Sequence, residues 1–203
     1  MIYRISKILA TLAIKLLFRF TVKGIDNIPS KPPYLIAANH VSYLDPIVVG
    51  CAFPHKVRFM AKKELFTHKL SSWFLKQLGV FPVNREGLDI SSVKQSIQIL
   101  KNGGVLGIFP EGTRSRDGKF KGVNKGVIGI AIKGRVPIVP VGIKGTYEAW
   151  PPGRKFLKPH KVIVNIGEPI DFLEIFGQDG KIDYEKGAEI LTSKIKELLK
   201  DEK

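Results

Sequence analysis

The chain has 203 residues, 44% of them apolar, and carries 33 Lys and Arg against 18 Asp and Glu, a formal charge of +15. That length and apolar share predict one folded domain with a sizeable core and exclude a disordered chain. The charge favours an anionic partner, while the single cysteine, Cys51, excludes an internal disulfide and a cysteine metal cluster. Cys51 stands among Val48, Val49 and Ala52 and reads as a buried, inert thiol.

Residues 1–20 are apolar, but not evenly so. Arg4, Lys7, Thr11, Lys15 and Arg19 recur every three or four residues, so a helix gathers them into one stripe. Ile2, Ile5, Leu9, Leu12, Ala13, Leu16 and Phe20 lie opposite. The charges recur too often for a spanning helix, and no small-residue cleavage site follows. This pattern predicts an amphipathic helix on an anionic membrane surface. The alternative is a helix packed on its own domain with the polar stripe facing water.

Residues 21–24 predict a short edge strand and residues 28–33 a proline-rich connector. Strands then alternate with helices. Tyr34–Ala38 precedes a helix opening at Pro46, with Asp45 as its N-cap. Residues 57–61 lead to a helix over 64–78, and Val80–Val83 to a helix over 88–101. In the latter Ile90, Val93, Ile97 and Leu100 mark one face and Gly103 the stop. A strand over 105–109 leads through a polar loop to a helix over 125–132. Strands over 138–143 and 161–166 and a helix over Tyr184–Leu199 complete the chain. The alternation predicts an α/β domain over 21–203, with a mostly parallel sheet covered by helices.

Two segments carry chemistry. Asn39-His40-Val41-Ser42-Tyr43-Leu44-Asp45-Pro46 sets an imidazole and a carboxylate five residues apart, directly after a buried strand. On one helix they would diverge by about 140°. With His40 ending the strand and Asp45 opening the helix, the turn brings them together, as a general base for a hydroxyl requires. Phe109-Pro110-Glu111-Gly112-Thr113-Arg114-Ser115 offers a glycine, a hydroxyl and a guanidinium in a tight loop, a combination that suits a phosphate monoester. A base beside a phosphate clamp points to acyl transfer onto a phosphorylated alcohol. Each segment has a plainer reading: Asp-Pro opens many helices, and Asp117-Gly118 would end an exposed basic turn.

Gly79-Val80-Phe81-Pro82-Val83-Asn84-Arg85 and Val136-Pro137-Ile138-Val139-Pro140-Val141 add two further blocks. In this order the four resemble the glycerophospholipid acyltransferase family, most closely bacterial 1-acylglycerol-3-phosphate acyltransferases, over about residues 23–143. The resemblance implies His40 as base and Asp45 as its orienting partner. It implies Arg85, Glu111, Gly112, Thr113 and Arg114 as substrate-binding residues. Lys125, at a helix start, is preferred to Lys121 as a further phosphate ligand. Glu111 is the odd member, since a carboxylate repels phosphate; a glycerol hydroxyl or Arg114 is its expected partner. The implied reaction moves a fatty acyl group from acyl carrier protein or acyl-CoA to lysophosphatidic acid, giving phosphatidic acid. It needs no metal or cofactor and no nucleic acid, and takes place peripherally on the cytoplasmic face of the membrane. The same chemistry on glycerol 3-phosphate or another lysophospholipid stays open, as does a non-catalytic basic lipid-binding module.

Other motifs are lacking. There is no Gly-x-Ser-x-Gly elbow, and residues 129–135 miss the lysine and hydroxyl of a P-loop. His55, His68 and His160 have no metal-ligand spacing. Trp73 with Phe74, and Trp150 with Phe156 and Leu157, fit interfacial anchors or ordinary core burial equally.

Overall fold

Residues 1–84, 89–177 and 182–200 are described by the structure, a computed structural model. Its sheet has seven strands: β1 (Thr21–Lys23), β2 (Tyr34–Ala38), β3 (Val57–Lys62), β4 (Val80–Val83), β5 (Val105–Ile108), β6 (Ile138–Lys144) and β7 (Ile163–Ile166). They lie in the order β1-β7-β6-β2-β5-β3-β4, and every neighbouring pair is parallel except β6 with β7. The expected α/β class and the edge position of 21–24 are thus borne out.

β2 is the middle strand and is buried along its whole length. Its alternation divides the core in two. Tyr34, Ile36 and Ala38 face one layer, where helices α1 (Ile2–Phe18) and α2 (Asp45–Ala52) cover the sheet. Leu35 and Ala37 face the other, covered by α4 (Ile90–Lys101), α5 (Gly126–Gly134), α7 (Phe172–Gly177) and α8 (Tyr184–Leu199). The chain leaves β2 through α2 on one face, whereas it leaves β5 through α5 on the other and returns as β6. Connections diverging to opposite faces open a crevice at the carboxyl ends of β2 and β5, the usual ligand position in such sheets.

Several expectations change in detail. The helix expected over 64–78 is a 3₁₀ turn at Lys63–Phe66 followed by α3 (Lys69–Leu78). A short α6 (Thr146–Ala149) follows β6. α4 opens at Ile90, where the Asp89 carboxylate accepts from the Ser92 N–H. Its inward face is only partly the expected one: Leu100 is buried and Ile97 packs on the core, but Ile90 is 65% exposed and Val93 is exposed too, while Ser92 and Ser96 are buried. Ser96 is satisfied there by donating its hydroxyl to the Ser92 carbonyl at 2.7 Å.

The N-terminal helix differs more instructively. Ile14 and Phe18 enter the core, and Lys7 and Thr11 turn toward the domain rather than water. The Lys7 ammonium donates to the Phe53 and Pro54 carbonyls at the end of α2, and Thr11 donates to the Lys7 carbonyl. Burial pushes the Lys7 ammonium below its ordinary pKa. The outward face is then apolar: Ile5, Ile8, Leu9, Leu12 and Leu16 are exposed, Leu16 at 85%. Arg4, Lys15 and Arg19 stay exposed beside it, so only the Lys7–Thr11 part of the polar stripe turns inward.

Candidate active site

His40 and Asp45 do meet. β2 ends at Ala38, and its direction is held past the last rung by Asn39, whose side chain accepts from the Ile143 N–H at 2.7 Å and donates to the Ile143 carbonyl at 3.0 Å. The chain then turns, and α2 begins at Asp45. Asp45, expected from the sequence as the N-cap of that helix, does not cap it; its carboxylate folds back into the turn. Oδ2 accepts from the Val41 and Ser42 N–H groups, each at 2.7 Å, and lies 2.8 Å from His40 Nδ1. An oxygen already accepting two N–H bonds acts as an acceptor toward the ring as well. Nδ1 therefore carries the proton and Nε2 offers a lone pair.

The dyad is buried, His40 to 8% and Asp45 to 0% exposure. The imidazole is stacked on Phe109, ring centres 4.0 Å apart and planes at 18°, and Phe109 stacks in turn on Phe59 at 5.8 Å. Gly107 makes that possible, because a Cβ there would meet the Phe59 ring at 2.2 Å. A glycine in the middle of β5 thus positions the His40 ring two layers away.

The loop after β5 is tied to the dyad. The Ser115 N–H donates to the His40 carbonyl at 2.8 Å. Gly112 turns the chain with φ +74°, and its N–H donates to the Phe109 carbonyl at 3.0 Å. Among the described residues Glu111 does not pair with Arg114. Its carboxylate points inward and accepts from the His40 N–H at 2.9 Å and the Lys121 N–H at 3.2 Å, a bracket between the turn and the far end of its own loop. Burial raises its carboxyl above the ordinary value, against the lowering effect of those two donors.

Thr113, Arg114 and Lys121 line an open cleft of about 480 Å³ between this loop and α8. Lys125 is not on its wall. The ammonium of Lys125 pairs with the exposed Glu185 carboxylate at 2.7 Å, while Lys121 is among the residues that line the cleft. Arg85 lies outside the described residues. Sequence reasoning passed over Asn39, just before His40, and Ser42 and Tyr43, which sit within the His40–Asp45 segment itself. Ser42 donates to the Trp150 carbonyl at 2.6 Å, and Tyr43 packs beneath Arg114. The signal available for Ser42 and Tyr43 was their place between the two dyad members.

A family model described as Acyltransferase matches residues 19–144. The chain is also 37% identical over 175 residues to the 1-acyl-sn-glycerol-3-phosphate acyltransferase of Bacillus subtilis, covering 85% of this chain and 84% of that one. It belongs to the acyltransferase family. Among other members, the Streptococcus pneumoniae 1-acyl-sn-glycerol-3-phosphate acyltransferase is 34% identical over 74% of this chain and 55% of its own. The solved 1-acyl-sn-glycerophosphate acyltransferase PlsC of Thermotoga maritima superposes with a TM-score of 0.79 at 31% identity, covering 96% of this chain and 77% of that one. The acyltransferase match takes in both the dyad and the Arg114 loop, the two segments that chemistry alone singled out.

Proposed function

We propose that this acyltransferase moves a fatty acyl group from an acyl thioester to the free sn-2 hydroxyl of 1-acyl-sn-glycerol 3-phosphate, giving phosphatidic acid. The observation that carries the reading is the buried His40–Asp45 pair, with Nε2 free to take a proton, tied by two hydrogen bonds to the loop that presents Arg114. The hydroxyl oxygen attacks the thioester carbonyl carbon as its proton passes to His40 Nε2. The tetrahedral adduct collapses, the C–S bond breaks, and the thiolate takes that proton back from the imidazolium. Asp45 holds the ring and balances its transient charge. No side chain is acylated. Arg114, Thr113 and Lys121 hold the acceptor phosphate, and orienting two reactants in this way is worth ~7–11 kcal/mol of the barrier at best.

No helix among the described residues is long and apolar enough to cross a membrane. The acceptor's acyl chain nonetheless keeps it in a bilayer, so the active edge must be brought to one. α1 supports a peripheral attachment at the cytoplasmic face: its exposed leucines and isoleucines are accompanied by Arg4, Lys15 and Arg19 and by no acidic residue. α3 lies beside α1 and extends the apolar surface with exposed Leu70, Trp73 and Phe74. The donor is an acyl thioester on carrier protein or coenzyme A.

The test is an acceptor panel on purified protein, with free-thiol release and lipid products measured together. The reading expects phosphatidic acid in a one-to-one ratio with thiol. Product from glycerol 3-phosphate alone would move the acceptor assignment, and binding without thiol release would leave a lipid-binding module.

A further inference from the structure

Arg114 is held in place by an aromatic ring. Among the described residues its guanidinium forms no ion pair, and its Cζ instead lies 3.7 Å from the centre of the Tyr43 ring. Tyr43 leans in turn on Trp150, with ring centres 5.1 Å apart and planes at 44°. Trp150 is half-buried against the core beside α2. Two hydrogen bonds keep it in register: its carbonyl accepts from Ser42 at 2.6 Å, and its indole Nε1 donates to the Arg154 carbonyl at 2.9 Å. A ladder of guanidinium, phenol and indole therefore crosses the segments that follow β5, β2 and β6.

The choice of support has a chemical consequence. A carboxylate would fix the guanidinium as firmly, but it would occupy a pair of N–H donors and cancel the charge. An aromatic face holds the plane and leaves the N–H edge available to an anion. We propose that Tyr43, braced by Trp150, is a positioning residue that holds the Arg114 guanidinium flat and uncommitted for the acceptor's phosphate. The inference rests on the proposed function only in that the acceptor bears a phosphate. It also accounts for an exposed aromatic residue between two dyad members, since Tyr43 is 40% exposed and adds little to the core.

The experiment uses the full chain and a short-chain, water-soluble 1-acylglycerol 3-phosphate, titrated without donor and then assayed with it. Tyr43→Leu is expected to weaken acceptor binding about five- to tenfold, the share a cation–π contact of this exposure carries. The donor KM and kcat at saturating acceptor should change less than threefold. Tyr43→Phe keeps the ring and should restore binding to within twofold of wild type. In an Arg114→Ala background Tyr43→Leu should add less than twofold, because the guanidinium is the ladder's one output. Melting temperatures are measured alongside. Unchanged binding in Tyr43→Leu overturns the platform alone, as does a Tyr43→Phe loss equal to that of Leu, or losses that multiply with Arg114→Ala. Absence of wild-type binding overturns the phosphate acceptor and the platform together.

Discussion

Replacing Asp45 with asparagine separates charge from geometry in the dyad. In a triad where the amide can turn its NH₂ toward the histidine, the wrong tautomer results and the cost is about 10⁴ in kcat. Here the side chain cannot turn freely. The Val41 and Ser42 N–H groups both point at the Oδ2 position, so the amide oxygen takes that place and still accepts from His40 Nδ1. Tautomer and ring position are kept, and only the carboxylate charge is lost. Two unit charges ~4 Å apart at an effective dielectric of about 20 attract by about 4 kcal/mol, or roughly 10³ in rate at 1.36 kcal/mol per tenfold. Most of that attraction is felt only while His40 is protonated, so kcat should fall by about 10²–10³ with acceptor affinity preserved. The new NH₂ occupies the place of Oδ1, which is buried and lacks a partner, so stability should also fall by about 1–3 kcal/mol. Thiol release at saturating substrates, with a melting curve on the same sample, reads both effects. Turnover within tenfold of wild type would refute the charge-stabilising role of Asp45, as would any further loss when Asp45→Asn is added to His40→Ala.

Arg114→Ala should raise the acceptor KM by about 30-fold or more and leave the donor KM nearly unchanged, since truncating one partner of a paired charge commonly costs about 2–5 kcal/mol; a loss confined to the donor would misplace the phosphate. Lys125→Ala should change acceptor KM less than threefold, because an exposed pair such as Lys125–Glu185 contributes about 0–1 kcal/mol, and a tenfold rise would return Lys125 to the site. Leu9→Glu with Leu16→Glu should abolish sedimentation with anionic liposomes and spare activity on a water-soluble acceptor. Undiminished sedimentation would move the attachment surface away from α1. High salt should release the wild type only in part, since each cation near such a surface adds about 1 kcal/mol and the apolar share is unscreened.

The strands were legible because each is a short apolar run closed by Gly, Pro or a polar turn, and the dyad because a strand–turn–helix folds local residues together. What the sequence concealed depends on long-range or self-satisfied polar groups. Glu111 and His40 are 71 residues apart, and only the β2–β5 pairing makes one carboxylate a bracket for the other's backbone. Ser92 and Ser96 line the inner face of α4 because Ser96 can bond to the preceding turn, which counting apolar positions overlooks. Lys7 and Thr11 mark a polar stripe in sequence, yet two carbonyls at the end of α2 draw the Lys7 ammonium inward and leave the leucines outside. Lys125 opens a helix as expected, but its ammonium is taken by Glu185 across a separation of 60 residues.

The central claim is that His40 acts on the proton of a phosphorylated acceptor, and His40→Ala tests it most directly. Turnover is measured as phosphatidic acid formed, and acceptor affinity by titration without donor. Turnover is expected to fall by about 10² or more, with acceptor affinity within about twofold of wild type, because the base is felt chiefly in the transition state. Turnover within threefold of wild type in a folded His40→Ala protein would contradict it.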